Sequence, residues 1–123
     1  MYQAPAVSAR RYFLDGLAQG ELRYQFDPVS GKAVFFPREV APSGRLGGLE
    51  WRVSKGRGVI YSFTEVFRRD EMYNVVLVDL DEGFRVMSTI PGAQPRSLRI
   101  GQAVQAGFDV CAGEQRLVFE VLS

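Results

Sequence analysis

Residues 51–87 read WRVSKGRGVIYSFTEVFRRDEMYNVVLVDLDEGFRVM, and the order of residue types in this stretch decides the fold. Val59, Ile60, Tyr61, Phe63, Thr64, Val66 and Phe67 are β-branched or aromatic, with polar Ser62 and Glu65 between them, which suits a pleated, half-buried surface. A long, strongly bent strand is expected. Gly56 and Gly58 precede it and supply backbone freedom where a side chain would obstruct a sharply coiled sheet. Residues 73–80 are almost continuously apolar, Asp81-Glu82-Gly83 turns the chain, and 84–90 returns as the partner strand.

Working outward, short strands are predicted at about 51–55, 58–67, 73–80, 84–90, 103–110 and 115–122, with an Ala112-Gly113-Glu114 turn joining the last two. The class is mainly β, a barrel over 51–123. Ahead of it, a helix is predicted over 8–19, with Ser8 as N-cap and Gly20 just past the end. Phe13, Leu14 and Leu17 share one helical face, with Tyr12 beside them. Gly16 weakens the helix by about 1 kcal/mol relative to alanine, so it depends on docking. That face can be covered by the barrel, by a second copy in a homodimer or by a partner protein. Tyr12, Phe13, Leu14 and Leu17 are expected to serve an intermolecular contact, because 21–50 separates them from a barrel able to close its own core.

Composition narrows the classes of function. A chain of 123 residues with 46% hydrophobic and 24% charged residues can bury one core, and a net charge of +1 exerts no global pull on nucleic acid or anionic membrane. The first residues lack the apolar run of a signal peptide, no stretch approaches a membrane span, and one cysteine makes no disulfide framework, so a cytoplasmic location is expected.

Catalytic chemistry is almost unsupplied. With no histidine there is no Ser-His-Asp triad, no HExxH metal site and no imidazole base near neutral pH. Cys111 sits at a strand end with no evident base to activate it and reads as a packing or surface thiol. Asp79, Asp81 and Glu82 form the only acidic cluster and read as a solvated hairpin. Gly56-Arg57-Gly58 precedes a strand rather than a helix N-terminus, so it is no dinucleotide fingerprint.

The patterns GRGVIYSFT, MYNVVLVDLDEGFRVM and Ile100-Gly101-Gln102-Ala103-Val104, preceded by RYFLDGLAQGELRYQ and FFPRE with Ala41-Pro42, together resemble the acyl-CoA-associated OB-fold family catalogued as domain of unknown function 35. The resemblance covers nearly the whole chain. It implies an OB-fold barrel at 51–123, preceded within 1–50 by a helix and a rubredoxin-like zinc ribbon. The ribbon here is degenerate, because Asp27, Ser30, Ala41 and Gly44 stand where intact members carry two Cys-x-x-Cys knuckles. Four thiolate or imidazole ligands cannot be assembled from one distant cysteine and no histidine, which excludes a ribbon zinc. The loop 27–48 must then be held by packing of Phe26, Phe35, Phe36 and Leu49 or be mobile.

The resemblance implies a non-catalytic accessory subunit or scaffold that associates with a thiolase-superfamily enzyme and helps bind coenzyme A or acyl-CoA. For such a ligand, arginines beside aromatic rings suit phosphates and a flat base, which selects Arg38, Lys55, Arg57, Tyr61, Phe63 and Arg68. Residue by residue, a solvated rim of charges around the barrel is the favoured reading of these positions. The alternative is a free-standing OB-fold that binds single-stranded nucleic acid through Tyr61, Phe63 and Tyr73. The weak net charge stands against it.

Overall fold

The computed structural model describes residues 7–35, 37–39 and 48–122. One helix, α1 (Ala9–Ala18), precedes eight strands: β1 (Arg23–Asp27), β2 (Lys32–Val34), β3 (Glu50–Val53), β4 (Arg57–Arg68), β5 (Glu71–Leu80), β6 (Arg85–Ser88), β7 (Ala103–Cys111) and β8 (Glu114–Val121). All pairings are antiparallel. A three-stranded sheet runs β2-β1-β3, and a five-stranded sheet runs β6-β5-β4-β7-β8. The expected OB-fold is what the second sheet forms as it curls on itself. Its two edges meet where the Phe119 N–H donates to the Thr89 carbonyl at 2.9 Å and Ser88 Oγ donates to the Leu117 carbonyl at 2.9 Å.

The bend of β4 is built into its sequence. Its register against β5 shifts between Ile60 and Ser62, which leaves Tyr61 as the extra residue of a bulge. Only Arg57, Gly58 and Val59 pair with β7 before β4 turns away from it. Gly58 is where backbones come closest, since a Cβ there would lie 2.3 Å from the Asp79 carbonyl oxygen. Gly56 has φ +77, and a Cβ on it would meet Ala106 Cβ at 2.7 Å. Both glycines are thus required by the curvature.

Inward residues follow the strand period of two. Asn74, Val76, Val78 and Leu80 of β5 are buried with Ile60, Val86, Val104 and Phe119. Asn74 is the polar exception. Its side-chain amide donates to the Ile90 carbonyl at 2.9 Å and accepts the Ile90 N–H at 2.8 Å, so it acts as a one-residue strand partner to the chain leaving β6.

Two readings of the front half are corrected. The strand expected at 51–55 as part of the barrel is β3, and it pairs with β1 in the three-stranded sheet. The helix face expected to make an intermolecular contact instead packs largely on its own chain. Phe13 and Leu17 lie against the main core, Tyr12 lies 4.9 Å from the Trp51 ring, and Leu14 alone of the four stays exposed. Ser8 caps the helix by accepting the Arg11 N–H, and Gln115 of β8 donates to the Leu17 carbonyl at 3.0 Å.

Aromatic stacking joins helix, ribbon and barrel. Phe13 meets Phe35 at 5.4 Å, Phe35 stacks on Phe84 at 5.1 Å, and Phe84 stacks on Tyr24 at 4.7 Å. Such contacts add roughly 0.5–1.5 kcal/mol each beyond area burial. Phe26 also packs on this core, Leu49 is buried with Val34, and Phe36 lies outside the described residues. Arg23 occupies the seam between α1 and β1. Its guanidinium lies 4.1 Å from the Tyr12 ring centroid and donates to the Tyr12 carbonyl at 3.0 Å and to Glu21 at 2.9 Å. Gly16 is small for this reason, because a Cβ would fall 2.6 Å from the Arg23 side chain.

Candidate functional site

The residues selected for a coenzyme or nucleic-acid ligand are dispersed. Lys55 and Arg57 share a shallow hollow with Asp81, Glu82 and Gln105. There Glu82 accepts the Lys55 N–H and the Ser54 hydroxyl, each at 2.8 Å, and its charge opposes the anion site that the two cations alone suggest. Arg68 lies at the opposite end of β4, beside Arg69, Asp70 and Glu71, with its guanidinium 5.9 Å from the Tyr73 ring. Arg38 sits on the ribbon, its backbone held by the Gln25 side chain. Phe63 is turned inward against the core, whereas Tyr61 is exposed. The structure brings no three of these six together.

The acidic cluster is likewise divided among local tasks. Asp79 pairs with Arg85, Glu82 anchors the 54–55 backbone turn, and the Asp81 N–H donates to the Arg57 carbonyl. Cys111 is exposed at the β7–β8 turn. Among the described residues, no three histidine, cysteine, aspartate or glutamate side chains gather as metal ligands. Asp27 is spent locally, its carboxylate accepting the Val29 N–H at 3.0 Å, and Ala41 and Gly44 lie outside the described residues.

Two other features stand out. The first is the outer face of the β4–β6 sheet. Val66 opposes Tyr73, Thr64 opposes Val75, Leu77 opposes Met87, and Asp79 opposes Arg85. Opposed residues share a face, so an apolar band runs along the outside of the barrel, where an antiparallel sheet ordinarily meets water. Tyr73 is 43% and Met87 71% exposed. At its end Arg85 lies flat over Tyr61, 3.5 Å from the ring centroid, with Nε 2.6 Å from Asp79 Oδ1. The hydrogen bond that Arg85 donates to Asp79 raises the Arg85 pKa further.

The second is a groove of about 600 Å³ between α1 and the β6 edge. Phe13, Leu14 and Leu17 form its helical wall, and Leu77, Met87 and Leu117 face them. Arg10 and Arg85 are the charged groups on its lining. Arg10 makes no ion pair among the described residues, whereas Arg85 is held by Asp79. Sequence reading missed Arg10, Arg85, Leu77 and Met87. The signal was present in 73–80, whose outward positions Tyr73, Val75 and Leu77 are as apolar as the inward ones; this reads as a strand buried on both faces.

Among the described residues no helix is long and apolar enough to cross a membrane.

Comparison with known proteins gives a consistent set of matches. Residues 51–109 match the family described as ChsH2, C-terminal OB-fold domain. Over 102 residues, 79% of this chain, the sequence is 30% identical to the 3-oxo-4,17-pregnadiene-20-carboxyl-CoA hydratase alpha subunit of Mycobacterium tuberculosis. It is 39% identical over 83 residues to a DUF35 domain-containing scaffold protein of Methanothermobacter thermautotrophicus. The match spans 32% of the length of the first relative and 62% of the second. The fold matches the solved structure of an Ltp2-ChsH2(DUF35) aldolase with a TM-score of 0.81 and 21% identity, covering 96% of this chain and 98% of that one.

Proposed function

We propose that the chain is a member of the DUF35 OB-fold family, as its likeness to DUF35 scaffold proteins supports, and that it is a non-catalytic accessory subunit or scaffold that binds a thiolase-superfamily enzyme and helps accommodate its acyl-CoA. The observation that carries the reading is the apolar outer face of β4–β6, closed at one end by the Tyr61–Arg85–Asp79 group. Exposed tyrosine, methionine and arginine are the residue types that concentrate binding energy at protein interfaces, and an arginine already laid on a ring loses little further freedom on binding. The names of the relatives agree with a place in a complex: one is a hydratase subunit, others are scaffold proteins, and the matching fold comes from an aldolase assembly. Carbon–carbon or hydration chemistry then belongs to the partner, since this chain offers neither imidazole nor an activated nucleophile.

The test is co-expression of the tagged chain with a thiolase-superfamily enzyme from the same organism. Wild type should co-purify with that enzyme at a fixed ratio, and Tyr73→Asp or Arg85→Ala should abolish or strongly reduce recovery while each variant still melts cooperatively. Acyl-CoA turnover by the isolated chain, or recovery unaffected by both substitutions, would overturn the reading.

A further inference from the structure

The groove between α1 and the β6 edge has a lining that selects its occupant. Its walls are aliphatic or aromatic, and the groups on it able to hydrogen-bond through side chains are the guanidinia of Arg10 and Arg85. Both are donors only, and both are cations. A sugar, a nucleobase or an extended peptide would bring donors that no acceptor side chain among the described lining residues receives, at the full cost of their lost water. An unbranched hydrocarbon loses nothing by that lining. The volume of about 600 Å³ lies within the range of sites that enclose small ligands. Arg10 stands on the first turn of α1 without an ion pair among the described residues, so it is free to meet an anion, while Arg85 is already committed to Asp79.

The geometry points to this groove as a site for an aliphatic chain attached to an anionic group, with the chain laid between Leu14 and Met87 and the anion on Arg10. The inference rests on the accessory-subunit reading for the source of the chain, and it assigns the acyl portion of an acyl-CoA, rather than its nucleotide, to this protein. It also separates the ligand residues from Lys55 and Arg57, which share another hollow. The two sources of such a chain differ at the head: a free fatty carboxylate sets its own charge on Arg10, whereas an acyl thioester is neutral and offers Arg10 a carbonyl acceptor, its charge lying on the distant phosphates.

The experiment is titration of the full-length protein with dodecanoate, with dodecanoyl-CoA and with coenzyme A alone, below micelle-forming concentrations, followed by amide chemical shifts and calorimetry. At least one chain-bearing ligand should bind saturably at one site, with shifts concentrated in α1 and β6, and coenzyme A alone should bind at least tenfold more weakly. Preference for dodecanoate or for dodecanoyl-CoA identifies which source the site serves. Leu14→Asp and Met87→Asp, both at exposed positions, should each weaken binding at least tenfold without lowering cooperativity of unfolding, and Arg10→Gln should weaken it several-fold. Equal binding of coenzyme A with and without the chain, affinity unchanged in Leu14→Asp, or no chain binding together with a dimer that Leu14→Asp dissociates, would each overturn the proposal. Wild-type co-purification with the enzyme is scored separately, so failure of the partner reading is visible even where the chain binds.

Discussion

The barrel and the ribbon in front of it solve the same problem of holding a chain segment beside a strand, and they do so with the same device at different depth. In the barrel, Asn74 reaches across from β5 and satisfies both the N–H and the carbonyl of Ile90. In the ribbon, Gln25 of β1 does the same for Arg38, accepting its N–H at 2.7 Å and donating to its carbonyl at 2.6 Å. Both amides are buried. The barrel amide lies on the inward face of β5, in line with buried Val76 and Val78, whereas the ribbon amide holds the segment that carries Glu39, whose carboxylate accepts the Ala9 N–H at the start of α1. In this front segment, which has no cysteine, a side-chain amide and an arginine seam hold the chain in place. The difference teaches that cross-links of low cost suffice when the segment they hold is short and already stacked on a core.

The largest test of the contrast is Gly58→Val. A Cβ at that position meets backbone, which cannot swing aside, so the variant should lose about 3 kcal/mol or more and disrupt the barrel as a whole. Thermal or urea unfolding measures it; a loss below 1 kcal/mol would mean that the β4–β5 approach is not tight.

Next come the two amides, measured side by side. Asn74→Ala leaves the Ile90 N–H and carbonyl without their partner inside the barrel and should cost about 2–3 kcal/mol, read as global destabilisation. Gln25→Ala should cost about 1–2 kcal/mol. Hydrogen exchange should then accelerate in β1, β2 and the start of α1 while β5 stays protected. If Gln25→Ala unfolds the barrel too, ribbon and barrel are one cooperative unit and the contrast dissolves.

A smaller effect belongs to the β7–β8 hairpin, where Arg116 Nε lies 2.7 Å from Asp109 Oδ1. The hydrogen bond from Arg116 lowers the Asp109 pKa below its ordinary carboxylate value. A depressed folded pKa adds stability above the unfolded value that is lost as pH falls through the folded one, so Asp109→Asn should be slightly less stable than wild type at neutral pH and indistinguishable from it in strong acid. The effect should be small because the pair is exposed to solvent. Equal melting temperatures at neutral pH would show that the pair contributes nothing measurable. The smallest expected change is none: prolonged chelation should leave the melting temperature unmoved, and elemental analysis should find no stoichiometric zinc, since the lost knuckles offer no thiolate. Stoichiometric zinc would mean that the ribbon is metal-held and that the amide bridge is incidental.

The local chemistry of the chain determined the barrel strands, the bent β4 with its two glycines, the Ser8-capped helix and the absence of a thiolate ribbon, because periodicity, capping and ligand count are properties of neighbouring residues. Local chemistry was silent on β1 and β2, whose alternation is masked by buried Arg23, Gln25 and Asp27, polar residues that are tolerable because they are hydrogen-bonded, Gln25 to Arg38 and Arg23 to the Tyr12 carbonyl among them. It also assigned β3 to the wrong sheet, since four residues of strand carry no mark of their neighbour. Only the tertiary structure decided that the helix docks on its own barrel, that the selected cations lie apart, and that Arg10, Leu14, Leu77 and Met87 line one groove. The physical reason is range: propensity acts within a turn or a strand, whereas a site is made where the closing of the sheet brings residue 10 to residue 87.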